Sequence, residues 1–135
     1  MLIVDTGPLV ATADRDDADH VACDQLLAVE APLITTALVI AEAAFLIAPE
    51  VGAAGEVALV SDVAEGRLVV DDLTREDWVR VHHLVERYTD LGLGATDASV
   101  IALAERHRAT RIATLDHRHF RVVHPIHCHA FELVP

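Results

Sequence analysis

Short apolar runs that stop at an acid or a turn alternate along this chain with longer stretches in which apolar positions recur at helical spacing. LIVD opens the chain at strand length, and Thr6-Gly7-Pro8 reads as a turn, which leaves Asp5 at the carboxyl end of a buried strand. From about Asp16 to Val29 the spacing of Val21, Leu26 and Leu27 predicts a helix that Pro32 ends. PLITT is a second strand. Thr35 or Thr36 is placed to cap the helix that follows, which runs to Pro49, and a looser helical pattern, GEVALVSDVAEG, closes at Gly66.

RLVVDDL predicts a third strand, and Thr74 through Asp77 form a capping pattern for a helix that turns Trp78, Val81 and Val85 toward the core. Gly92 and Gly94 mark a loop. ATDASVIALAERH is apolar on nearly every side in its middle, as a buried helix must be, and carries Asp97 in its first turn. RIATLD is the next strand, again ending in an acid, and a turn over His117 to Arg121 precedes a last short strand, AFELV. Strands alternating with helices predict an α/β fold: a mainly parallel sheet covered on both faces, in a single domain over residues 1–135.

Composition narrows this picture. Hydrophobic residues make up 53% and charged residues 24%, far from the profile of a disordered chain. Cys23 and Cys128 lie far apart in a domain too large to need a staple, so free thiols in a reducing cytoplasm are expected. MLIVDTGPL lacks the basic flank and long apolar region of a signal peptide, and residues 31 to 49 carry Pro32 and Glu42, which argue against a membrane span.

The formal net charge of −12 argues against a nucleic-acid partner unless the cations are concentrated. They are: all 10 are arginines, and Arg106, Arg108, Arg111, Arg118 and Arg121 fall in one segment with His107, His117 and His119. These arginines form the candidate RNA-binding set. Absence of lysine excludes a P-loop, a Schiff-base enzyme and a phosphoacceptor receiver domain.

The acids supply the candidate chemistry. In an open parallel sheet the functional crevice lies outside the carboxyl ends of the strands, where Asp5 and Asp116 both fall; the helix headed by Asp97 enters from the same edge. Each has a plain structural reading, as a turn residue or a helix-dipole partner. Glu42 is different, because its helical neighbours Leu38, Val39, Phe45 and Leu46 leave it no polar face, and an unpartnered buried carboxylate costs several kcal/mol. A divalent cation is the expected partner, and an all-oxygen set suits Mg2+ or Mn2+. Such an ion lowers the pKa of a bound water and neutralises a phosphodiester during in-line attack, while one acid takes the proton.

Two other chemistries fare worse. His124, His127, Cys128 and His129 in the tail match no closed zinc spacing, and neither Ser61 nor Ser99 sits in a nucleophile elbow.

MLIVDTGPL, the Ala-Glu pair at Glu42, LGLGATDASVIALAERH and RIATLDHRHF, in that order over nearly the whole chain, resemble the PIN-domain ribonucleases, especially the VapC-type toxins of bacterial toxin–antitoxin pairs. The resemblance implies a three-layer α/β/α sandwich and a Mg2+- or Mn2+-dependent endoribonuclease, cytoplasmic, homodimeric and held inactive by a VapB-type antitoxin. It assigns Asp5, Glu42, Asp97 and Asp116 to the catalytic, metal-binding quartet, with Thr6 and Thr114 as secondary positions near the metal. Relatives often carry a further acid about one turn beyond the third aspartate, where this chain has Val100 and Ile101, which weakens the case for a second metal. A non-toxin RNA-processing PIN nuclease and a catalytically silent PIN-like partner-binding module are the alternatives.

Overall fold

The computed structural model describes every residue from Met1 to Pro135. Its sheet joins β1 (Leu2–Val4), β2 (Leu33–Thr35), β3 (Leu68–Val70), β4 (Arg111–Ala113) and β5 (Glu132–Val134) in the order β3-β2-β1-β4-β5. Every adjacent pair is parallel, with Ile3 beside both Ile34 and Ile112. The central strand is fully buried and therefore apolar throughout rather than alternating.

Helices α1 (Thr6–Ala13), α2 (His20–Val29), α3 (Ala37–Val51) and α4 (Ala53–Ala64) connect β1 to β2 and β2 to β3, while α5 (Arg75–Arg87) and α6 (Ala95–His107) carry the chain back across to β4. Right-handed crossovers in opposite directions put the two groups on opposite faces of the sheet, which makes a three-layer sandwich. A 3-10 turn, Thr89–Leu91, separates α5 from α6, and α7 (His117–Val122) follows β4. No helix is long and apolar enough to cross a membrane.

Local sequence explains most boundaries. Thr36 caps α3 by accepting from the Val39 amide at 3.3 Å, and Thr74 and Asp77 form a reciprocal capping box at α5. Helix α6 is buried over every residue from Ala98 to Glu105, as its apolar circumference requires. Within it, Glu105 is compensated by Arg80 through two bonds of 2.7 and 2.8 Å and by the Ile126 amide at 3.1 Å, so α6 also anchors the carboxyl-terminal segment.

Several expectations need correction. Thr6-Gly7-Pro8 is no turn but the start of α1; Pro8 falls in its first turn, where no intrahelical amide is needed. His117 to Arg121 form most of α7 rather than a turn, because the Asp116 carboxylate caps that helix. The helix before Pro32 starts at His20, not near Asp16, and α3 continues past Pro49 to Val51. On α5 the inward stripe is Asp77, Val81 and Leu84, which leaves Trp78 47% exposed and Val85 only partly buried.

The reading of α3 as wholly buried also fails. Its inner stripe is Val39, Ala43 and Ile47, while Phe45 is 77% and Leu46 42% exposed, and Glu42 lies on that same open side. The helix is one-sidedly packed and apolar on both sides, so periodicity could not reveal which side faces the core.

Candidate metal centre at the sheet's switch point

The chain leaves β1 toward β2 on one side and returns to β4 on the other, so the crevice beyond the carboxyl ends of β1 and β4 is the topological switch point of the sheet. Asp5 follows β1 and Asp116 follows β4 by a short link. Thr114 joins the two: its hydroxyl donates to Asp5 Oδ2 at 2.8 Å and accepts from the Asp116 amide at 3.0 Å. Gly7 lets α1 start this close to the neighbouring link, since an added Cβ would stand 3.2 Å from Leu115 Cβ.

The helices deliver the other acids. Thr36 at the head of α3 and Ser99 in the first turns of α6 share a buried hydroxyl contact of 2.9 Å, and Ser99 also donates to the Thr96 carbonyl at 2.7 Å. That contact brings the amino-terminal turns of α3 and α6, with Glu42 and Asp97, to the same edge. Asp5, Glu42, Asp97 and Asp116 line one open cleft of about 620 Å³, together with Thr6, Gly7, Val10, Asp17, Leu46 and Leu115.

Glu42 stands on the rim rather than in the interior, its Oε2 accepting from the Thr6 hydroxyl at 2.6 Å. The sequence argument from an unpartnered buried glutamate therefore applies to a different residue, Asp5. Asp5 is 4% exposed, and its Oδ1 is buried with no hydrogen-bond partner. Burial pushes its pKa up to about 6; the Thr114 hydroxyl and the Thr6 backbone amide oppose that rise, and the charges of Asp97 and Glu42 add to it. Burial likewise raises the Asp97 carboxyl, against the pull of His119, with Asp116 and Glu42 contributing repulsion.

An orphaned carboxylate oxygen facing other carboxylates fits a divalent cation. Asp5, Glu42, Asp97 and Asp116 would supply hard oxygen ligands, and Thr6 and Thr114 hold two of those carboxylates in place. His119, which the sequence reading placed only in a basic segment, belongs here as well. Its Nδ1 lies 2.6 Å from Asp97 Oδ2 and 3.1 Å from Asp116 Oδ2, and these three side chains form the molecule's tightest group of metal-ligating atoms. Its spacing of three from Asp116 was the available signal, but it carries that meaning only once α7 is known to be a helix. Asp17, from the acidic α1–α2 link, is the other cleft residue that pattern reasoning passed over.

The arginine segment does not act as one unit. Arg106 is engaged by Asp71 at 3.2 Å and Asp77 at 3.0 Å. Arg108 caps α6, and Arg111 opens β4 at the sheet's amino edge, paired with Glu30 at 2.7 Å. Only Arg118 and Arg121, exposed on α7, stand beside the cleft. In the tail, His127 bonds the Ala109 carbonyl at 2.8 Å, and no metal-ligating cluster forms around Cys128.

An α/β/α sandwich with acids converging at the switch point defines a metal-nuclease architecture, and residues 2–124 match the PIN domain family: this chain belongs to it. Over 135 residues, 99% of the chain and 100% of the relative, it is 32% identical to Ribonuclease VapC26 of Mycobacterium tuberculosis. Its fold also matches the crystal structure of Mycobacterium tuberculosis VapC20, described as a sarcin-ricin loop cleaving toxin, with a TM-score of 0.76 at 20% identity over 83% of this chain and 87% of that one.

Proposed function

We infer that this protein is an endoribonuclease acting as the toxin of a type II toxin–antitoxin pair, with Mg2+ or Mn2+ held by Asp5, Glu42, Asp97 and Asp116. The observation that carries the reading is the buried, unpartnered Asp5 Oδ1 in a cleft lined by three further acids, within a PIN-family chain 32% identical to a ribonuclease. When bound, the ion neutralises phosphate charge and makes water a stronger nucleophile. The residues of the chain do the remainder. Thr6 and Thr114 keep the Glu42 and Asp5 carboxylates oriented, one of the cleft's carboxylates takes up the proton of the attacking water, and Arg118 and Arg121 hold the flanking RNA backbone.

The partners are those the likeness to VapC proteins implies, and charge and exposure agree with them. A net charge of −12 steers a basic VapB-type antitoxin toward the molecule, and the exposed Phe45 and Leu46 beside Glu42 offer apolar area for a homodimer to cover.

Incubating the purified chain with RNA in Mg2+, Mn2+ or EDTA tests the reading. Cleavage is expected only with metal, and Asp97→Asn or Asp5→Asn should reduce it by more than the ~100-fold that loss of an outer-shell partner can cost. Equal cleavage by wild type and both variants, or cleavage in EDTA, refutes it.

A further inference from the structure

We propose that His119 is itself a metal ligand of this cleft, its Nδ1 joining Asp97 and Asp116, and that this nitrogen biases the site toward manganese over magnesium. The proposal rests on the metal-dependent reading above and adds a donor outside the acidic quartet.

Geometry carries it. Asp116 is the N-cap of α7 and His119 lies in the first turn, three residues on, which sets the ring against the capping carboxylate. The ring presents Nδ1 to both acids, at 2.6 Å from Asp97 and 3.1 Å from Asp116, and the side chain is only 17% exposed. Adjacent ligands in an octahedral shell of radius about 2.1 Å lie about 3 Å apart. The Asp116 distance already matches that edge, and the Asp97 distance needs to open by a few tenths of an ångström once no hydrogen bridges the pair.

The segment that carries the ring is anchored at both the cap and the core. The Asp116 carboxylate accepts from the Arg118 amide at 3.1 Å and the His119 amide at 3.5 Å, while the adjacent Phe120 is buried in the core, so α7 is fixed at its start and along its inner face. No arginine pairs with Asp97 or Asp116; Arg121 turns instead to His117 Nδ1 at 3.3 Å. The His119 ring is thus the one side-chain nitrogen placed on these carboxylates.

A histidine that merely tied two acids together would leave the buried Asp5 Oδ1 unsatisfied in the same cleft, and that oxygen calls for a cation the imidazole cannot replace. The neutral tautomer with its hydrogen on Nε2 offers the Nδ1 lone pair to such an ion. Carboxylate oxygens suit Mg2+ and Mn2+ alike, whereas an imidazole nitrogen is a poor ligand for Mg2+ and an acceptable one for Mn2+.

Pulsed electron paramagnetic resonance on the Mn2+-loaded full chain reads this directly, through the 14N coupling of a ligated imidazole. Wild type and His83→Ala, on exposed α5 surface, should show it; His119→Ala and His119→Gln should lose it. Calorimetric titration should show about a tenfold drop in Mn2+ affinity for the His119 variants, with a much smaller change for Mg2+. Mn2+ bound by wild type without nitrogen coupling, or coupling that survives in either His119 variant, overturns the proposal and leaves the carboxylate site intact. Failure of wild type to bind Mn2+ at all overturns both. The wild-type spectrum is decisive even if one variant does not fold.

Discussion

The two oxygens of Asp5 have different surroundings: Oδ2 accepts from Thr114, while Oδ1 is sealed from solvent with nothing to accept from. An acid whose folded-state pKa, here about 6, exceeds its unfolded value holds its proton more tightly when folded. Its effect on stability therefore worsens as pH rises from about 4 to about 6 and is fully unfavourable above that, by about 3 kcal/mol for the metal-free chain. Melting in EDTA across pH 4 to 8 should show a decline in this window that Asp5→Asn reduces, the remainder coming from the raised Asp97. At pH 7.5, millimolar Mn2+ should raise the wild-type melting temperature and barely move that of Asp5→Asn; identical pH profiles for the two proteins would refute the assignment. At this scale the sequence named four acids that the fold brings to one cleft but misjudged which one is buried without a partner. Glu42 looks stranded among apolar neighbours, yet it reaches the rim and Thr6; Asp5 looks like a turn residue, yet burial of β1 and β4 on both sides encloses it.

Among the elements, the packing of α3 on α4 turns on Gly55. A Cβ there would fall 2.7 Å from Ile47 Cγ2 and 2.9 Å from Val51 Cγ1, both on stiff β-branched side chains. Gly55→Ala gains helix propensity but forces the helices apart, for a net loss of about 1–2 kcal/mol, visible as a melting temperature lower by several degrees. Unchanged or higher stability would show that the two helices yield freely. Most elements were legible because each has one strong cue: the capped starts of α3 and α5, the apolar circumference of α6, the runs of β1 to β4. The misses share a cause. Helix α1 hides behind Thr-Gly-Pro, whose turn chemistry is equally compatible with a first helical turn, and α7 is too short for any period to register and exists through its Asp116 cap. Trp78 was misplaced because Trp78, Val81 and Val85 also recur at helical spacing, whereas the stripe that packs inward runs through Asp77, Val81 and Leu84.

Across the whole molecule, a chain of net charge −12 that engages RNA must do so through few cations. With Arg106 and Arg111 held in ion pairs and Arg108 at the carboxyl end of α6, Arg118 and Arg121 are the segment's arginines nearest the acids. Replacing both with alanine should weaken binding of a single-stranded RNA and flatten the dependence of log affinity on log salt by about 1.4, at about 0.7 per lost phosphate contact. An unaltered slope would place the RNA path elsewhere on the surface. The class of fold and the convergence of the four acids were readable from order and spacing, whereas the division of the arginines was not, because ion pairing with Glu30, Asp71 and Asp77 is settled only by long-range folding. The Thr114 to Asp5 bond, which closes the cleft across 109 residues, carries a last implication. A nascent chain still on the ribosome holds Asp5 and Glu42 long before β4 and α7 emerge to complete the centre. A chain cut short before β4 lacks Thr114 and Asp116 and so cannot assemble the centre proposed above.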